Sequence, residues 1–327
     1  MSESTVSSPP LSTEDAALTE KDPPRDMAWS EVPHIAASGV CMGTADIVPG
    51  VSGGTMAVAL GIYHRLLAAI ASFNVDAIHA ILRFKIADAM QIVHWRFLCT
   101  LFAGMVVAFG IMLKIVKLPV LIQEEPRLVY AVFFGLVLGS AAILGRRIPW
   151  TPARIGSLVG GAVLGFIVVN LVPVDTPTHP AFIFFCGLIA ISAMILPGIS
   201  GSFILLILGK YAYILGALSD KNLAVILPFV LGCAIGITSM SRFLSYLLTR
   251  WEHTITAGLV GLLLGSLWRL WPYQNLETII VRKKPRVISF ENYWPESFEM
   301  PVLALLVTGI IAVFAIEFAA SRRTVES

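Results

Sequence analysis

The 327-residue chain is 57% hydrophobic and 13% charged, with a mean hydropathy of +0.82, whereas a typical soluble domain carries about 25% charged residues. That composition excludes a water-soluble globular protein and points to a polytopic membrane protein. The formal net charge of +2 says little about partners, and no nucleic-acid-binding motif is present, so no nucleic-acid partner is expected.

Residues 1–28 are polar, with Pro9, Pro10, Pro23 and Pro24 and acids at Glu14, Asp15, Glu20 and Asp22. They bury too little apolar surface to offset chain entropy and read as a disordered cytoplasmic tail. No basic start followed by an apolar core is present, so the tail is not a signal peptide. Apolar segments then run roughly over 33–72, 97–117, 128–145, 154–173, 181–218, 223–248, 254–271 and 300–320. Cys41, Cys99, Cys186 and Cys233 all lie in these segments without a CxxC pair. They read as free thiols, and no metal site or cofactor is expected.

The first segment contains PGVSGGTMAVALGIY (Pro49–Tyr63) and the fifth contains PGISGSFILLILGKY (Pro197–Tyr211). At a constant offset of 148, seven of these fifteen positions match. The third and seventh segments match as well, GLVLGS at 135–140 against GLLLGS at 261–266. The repeat therefore covers a broken segment followed by three spans, twice. It divides the chain into a first membrane repeat, 29–173, and a second, 174–321, with a short tail at 322–327. The second repeat includes an extramembrane loop at 272–299, in which TIIV-RKKPR-VISF has the pattern of a hairpin.

Each broken segment is long enough for two half-helices meeting at the glycines. Proline ends the first half, and glycine permits the backbone angles of a tight reversal. Irregular backbone at membrane depth must be buried in protein or line a wet cavity, so a re-entrant hairpin fits. Each repeat then makes three full crossings, and the odd count inverts the second relative to the first. The expected fold is an all-α polytopic membrane protein of two inverted-topology repeats, each a re-entrant helical hairpin plus three transmembrane helices. The rival count, one crossing per broken segment, gives eight spans and parallel repeats. Loops assigned to the cytoplasm carry ten Lys and Arg against five outside, as the positive-inside rule requires with both termini cytoplasmic. Arg282, Lys283, Lys284 and Arg286 in the longer 272–299 loop run against it.

Paired breaks at corresponding positions of two halves mark the binding site of duplicated transporters. A Gly-Ser-Gly turn opening a helix exposes backbone N–H groups at a positive dipole end, a setting suited to phosphate. Ser52, Thr55, Ser200 and Ser202 add hydroxyl donors. The competing reading is close helix packing by small residues, to which Gly104, Gly135, Gly139, Gly160, Gly161 and Gly265 are assigned. Intramembrane ionisable groups are few and therefore informative. Asp46 precedes the first break by three residues, and Lys210 follows the second as an interfacial cation. Aligning 153–173 with 300–320 places Asn170 opposite Glu317. Asp46, Glu317 and Asn170 are the candidates for coupling to a proton or cation. For Asp46 the alternative is a helix cap, and for Glu317 it is snorkelling towards Arg322 and Arg323.

ADIVPGVSGGTMAVALGIY together with the second PGISGSFILLILGKY resembles the polyprenyl-phosphate transporter family, long catalogued as a bacterial domain of unknown function. The resemblance covers about 33–320. It implies a non-enzymatic flippase that translocates undecaprenyl phosphate across the bacterial plasma (inner) membrane for carrier-lipid recycling. It carries over Asp46, Pro49, Gly50, Ser52, Gly53, Gly54 and Thr55, with Pro197, Gly198, Ser200 and Gly201 of the second copy. Ser202 and Phe203 stand where the first copy has Gly54 and Thr55, so unequal roles for the two breaks are expected. Other readings stay open. Membrane-embedded polyprenyl-pyrophosphate phosphatases have similar motifs, but neither break here holds the His or Arg that phosphoryl transfer uses. An ion-coupled small-anion transporter is the third. Polyprenyl-phosphate lipid, bulk membrane lipids, a coupling ion and a second copy of the chain are the partners considered.

Overall fold

The computed structural model describes residues 27–47, 52–73, 77, 79–80, 83–85, 90, 92–174, 176–281 and 284–325. Most of the expected N-terminal tail, Pro49 and Gly50 of the first break, and Arg282 and Lys283 lie outside the described residues. The described chain is mostly helical. After a 3-10 turn (Trp29–Glu31) come α1 (Val32–Ile47), α2 (Gly53–Ala59), α3 (Tyr63–Ala71), α4 (Trp95–Lys114), α5 (Leu118–Glu124), α6 (Pro126–Arg146) and α7 (Pro152–Val169). The second half holds α8 (Pro180–Ile195), α9 (Gly201–Ile207), α10 (Tyr211–Ser219), α11 (Leu223–Ser266) with a 3-10 extension (Leu267–Leu270), β1 (Gln274–Val281), β2 (Lys284–Asn292) and α12 (Met300–Val325).

Among the described residues five stretches are long and apolar enough to cross a membrane: Trp95–Lys114, Pro126–Arg146, Pro152–Val169, Leu223–Leu270 and Met300–Phe318. The architecture is that of a multi-pass membrane protein. The 48-residue stretch would be about 72 Å long if straight, more than twice the hydrocarbon thickness. It is not straight: Trp251 adopts non-helical angles (φ −137°, ψ 49°) and divides α11 into two arms.

The two broken segments are built alike, in three pieces rather than the expected two. Helices α2 and α9 each end on the Leu-Gly-x-Tyr part of the repeat. Gly61 and Gly209 take left-handed angles (φ +71° and +63°), which glycine adopts without penalty. Ile62 N–H donates to the Ala57 carbonyl and Lys210 N–H to that of Leu205, 3.0 and 2.9 Å. These bonds close the glycine-terminated cap that satisfies orphan helix carbonyls. In the second copy the chain turns by 108° between α9 and α10. At the entrance to the first segment Arg65 of α3 grips Glu31 (2.7 Å) and holds its carboxyl below the ordinary range.

Helix pairs are joined by backbone-to-backbone seams at glycine, as expected where lipid supplies no hydrophobic drive. Helix α1 packs on α4 through Gly39 and Gly104, and α8 on the first arm of α11 through Gly187 and Gly232. Helix α6 packs on α12, where a Cβ on Gly135 would overlap the Leu306 carbonyl. Helix α7 packs on the second arm of α11, where a Cβ on Gly261 would overlap that of Leu158. The second of the three spans in each half thus docks on the last span of the other half. Gly160 departs from its packing assignment, since nothing lies within 4 Å of a Cβ built there. The matched contacts at Leu158 and Leu306 keep the offset at 148. Glu317 then falls opposite Val169, so the expected Asn170–Glu317 correspondence is one residue out.

Strands β1 and β2 form an antiparallel hairpin in register Gln274↔Asn292 to Val281↔Lys284, with an irregularity at Glu277/Thr278. Its base is pinned by Trp271, whose Nε1–H donates to the Tyr293 carbonyl (3.0 Å) and whose ring stacks on Trp294. Both proposed tails are shorter than expected: Met27 is already buried, and α12 continues to Val325.

Candidate functional site

The two breaks meet in the interior. Helix α8 ends at Ile195, which leaves its last carbonyls without intrahelical donors. The first break supplies them. Ser52 Oγ–H donates to the Met194 carbonyl (3.1 Å), and Tyr63 O–H donates to that of Ile195 (3.0 Å). In return Gly198 N–H donates to Thr55 Oγ1 (2.8 Å). Gly54 lies at the crossing, where a Cβ would sit 2.9 Å from the Ile195 oxygen and 3.0 Å from that of Met194. Ser52 and Thr55 are each 1% exposed. Their hydroxyls, expected as free donors to a ligand, instead knit one break to the other.

Ser52 also caps α2, accepting from Gly54 N–H (3.1 Å). Asp46, one residue before the end of α1, accepts from Gly53 N–H through Oδ1 at 2.6 Å. A carboxylate bond of this kind is among the stronger hydrogen bonds. Asp46 therefore does act on the start of the half-helix, as its capping alternative required. With Gly53 and Gly54, half-buried Asp46 lines a cleft of about 440 Å³ whose surface is almost wholly apolar, with Phe102, Met105, Met194 and Ile237 among its other residues. Phe102 at its rim is exposed. A second apolar cavity of about 460 Å³ flanks α2, lined by Cys41, Met56, Leu60 and Phe133. An apolar cleft with one carboxylate residue in its lining fits a molecule with a long apolar body and a small polar head.

The second break is shaped differently. Gly198 has φ +89°, and a Cβ there would fall 2.7 Å from Ser266 Oγ. Pro197 and Gly201 are buried. Ser200 makes no side-chain cap to α9. Its hydroxyl pairs with that of Ser202 at 2.8 Å, and Ser202 is exposed. Ser52 and Thr55 are thus committed to structure, while among the described residues the Ser200 and Ser202 hydroxyls pair with each other.

The remaining ionisable candidates lie elsewhere. Glu317 pairs with Arg147 (2.7 Å), and Asn170 Nδ2–H donates back to the Phe166 carbonyl (2.8 Å) at the end of α7. Neither has a hydrogen bond to the described residues of a break. Lys210 is buried, and its ammonium donates to the Thr176 carbonyl (2.5 Å) in the 173–180 loop. Tyr63 was not singled out as a site residue, although its place in Leu-Gly-x-Tyr is the signal that marks it.

A family model described as VCA0040-like, undecaprenyl phosphate translocase-like, matches residues 42–288. The chain is 38% identical over 238 residues to a polyprenyl-phosphate transporter of Vibrio cholerae serotype O1, covering 72% of this chain and 77% of that protein. It is 29% identical over 263 residues to a polyprenyl-phosphate transporter of Staphylococcus aureus, covering 74% and 87%. No solved structure matches it.

Proposed function

As the chain belongs to the undecaprenyl phosphate translocase-like family, we propose that it moves undecaprenyl phosphate across the bacterial plasma membrane, without hydrolysing it. The supporting observation is the cleft at the crossing of the two breaks. Its lining is almost wholly apolar and reaches exposed Phe102, and Asp46, Gly53 and Gly54 of the first break belong to it. A phosphate head would lie at the breaks while the isoprenoid tail stays in the cleft and the bilayer. The matched pieces α1–α2–α3 and α8–α9–α10, and the exchange of last spans between halves, support two inverted repeats. With α11 counted as two crossings at Trp251, each repeat makes three. Two inverted breaks in contact would let one head site be reached from either face in turn.

Reconstitution with labelled undecaprenyl phosphate tests this, with leaflet exchange and free phosphate followed in one assay. Exchange above the protein-free rate with free phosphate at background is expected. Phosphate release would assign the chain to the phosphatase reading, and uptake of soluble anions without lipid exchange to the small-anion reading.

Since the Ser200 and Ser202 hydroxyls pair with each other, the Ser200→Ala/Ser202→Ala protein should fold normally and bind the lipid phosphate more weakly. A hydrogen bond to a charged group contributes roughly 1.5–3 kcal/mol, or about ten- to a hundredfold in affinity. Unchanged binding would return both serines to packing.

Orientation is tested by labelling. With both termini cytoplasmic, the 173–180 loop is external. A single cysteine at Thr178, an exposed residue, should react with an impermeant thiol reagent from outside, and one at Ser327 should not. The reverse pattern would sink the inverted arrangement.

A further inference from the structure

The second break rests on the end of α11 and its 3-10 extension. Gly198 lies against Ser266, and five residues on Phe203 lies against Arg269. Arg269 is 2% exposed. Its guanidinium carbon sits 5.7 Å from the centre of the Phe203 ring and 4.1 Å from that of Phe290 on β2. Neither Nε nor Nη1 has a hydrogen-bond partner, and among the residues whose side chains are described no carboxylate forms an ion pair with it. Tyr130 of α6, the helix that packs on this 3-10 extension, shares a buried cluster with Leu267 and Leu270 on either side of Arg269, and its hydroxyl also has no partner. A buried charge without a counter-charge is strongly unfavourable, and a buried phenol normally finds a hydrogen-bond partner. Two such groups together describe a place prepared for an anion that is not part of the chain. The planar guanidinium fork suits a phosphate oxygen pair, and the aromatic faces shield it from water.

We infer that Arg269, assisted by the Tyr130 hydroxyl, binds the phosphate monoester during translocation, at a point beyond the second break that shares no lining residue with the Asp46 cleft. The inference rests on the transport reading above. Phe203 ties this point to α9 and Phe290 ties it to the β-hairpin, so the anion is reached when one of these two rings moves off the guanidinium. The head would then be handed between the Asp46 cleft and Arg269 across the second break, along the exposed Ser202 hydroxyl.

The test uses the full chain in nanodiscs, with farnesyl phosphate and inorganic phosphate as separate probes. Arg269→Met should bind farnesyl phosphate about ten- to a hundredfold more weakly than wild type and lose the ligand-induced rise in melting temperature. Arg269→Lys, which keeps the charge without the fork, should fall between them. Tyr130→Phe removes one oxygen from a residue that makes no hydrogen bond through it, so the fold is kept and a smaller loss of affinity is expected. Tighter binding of farnesyl phosphate than of inorganic phosphate identifies the lipid head as the ligand. Equal, Arg269-dependent binding identifies free phosphate instead, overturning the hand-over. Wild-type affinity in both Arg269→Lys and Tyr130→Phe overturns the site and leaves the transport reading standing. A wild-type protein that binds no farnesyl phosphate and exchanges no lipid overturns the transport reading itself.

Discussion

Valine at Gly54 should bring undecaprenyl phosphate exchange down to the protein-free rate. A Cβ at this position falls 2.9 and 3.0 Å from two carbonyl oxygens of α8, which are backbone atoms and have no rotamer with which to retreat. The two breaks would have to separate. That motion stretches the Ser52–Met194, Thr55–Gly198 and Tyr63–Ile195 bonds, each a net contribution of about 1 kcal/mol. Overpacking itself costs roughly 1–3 kcal/mol. Gly110→Ala is the matched control, because a Cβ there meets nothing within 4 Å, and it should exchange lipid as the wild type does. Exchange by Gly54→Val at the wild-type rate would mean that contact between the breaks is not needed for transport.

The second large effect is expected at Asp46, on the pH dependence of transport. A carboxylate in the lining of a cleft that receives a phosphate is unfavourable unless it takes up a proton or a cation, or is turned away as a cap. The geometry shows it doing part of the last through Gly53 N–H while Asp46 still lines the cleft. Asparagine preserves the acceptor oxygen and removes the charge. Asp46→Asn should therefore keep the hairpin, bind lipid phosphate at least as tightly, cycle more slowly, and lose the dependence of exchange on pH or cations. Asp46→Ala removes the acceptor as well and should destabilise the break by about 1.5–3 kcal/mol. Exchange rates measured against pH in proteoliposomes separate the roles. A wild-type profile in Asp46→Asn would leave Asp46 as a cap alone.

The breaks, their partnership and the spans were legible in the sequence because they are written as a repeat. Pro-Gly-x-Ser-Gly falls where α1 and α8 stop, and the apolar runs coincide with α4, α6, α7, the arms of α11 and α12. The third piece of each broken segment was written there too. Leu-Gly-x-Tyr was read as part of the match, when its glycine is the left-handed terminator of α2 and α9 and its tyrosine, in the first copy, the link to α8. Partner choice was not legible. Nothing local tells Ser52 from Ser200, yet one is locked to a carbonyl of the other break and the other pairs with Ser202. In the sequence Arg269 is one of the five cations counted in loops assigned outside. Its burial comes from Phe203 and Phe290, far away in the chain, although its setting between Trp268 and Leu270-Trp271 is a poor one for a solvated cation.

The exchange of last spans between the halves also sets a timetable for synthesis. Gly135 closes on Gly309, which leaves the ribosome 174 residues later. At about 5–20 residues per second, the bare face of α6 waits roughly ten to thirty-five seconds for its mate. Throughout that interval the nascent first half sits in the bilayer with an open glycine groove. Truncations that remove only α12 should accordingly be degraded early in the cell, even though they retain both breaks.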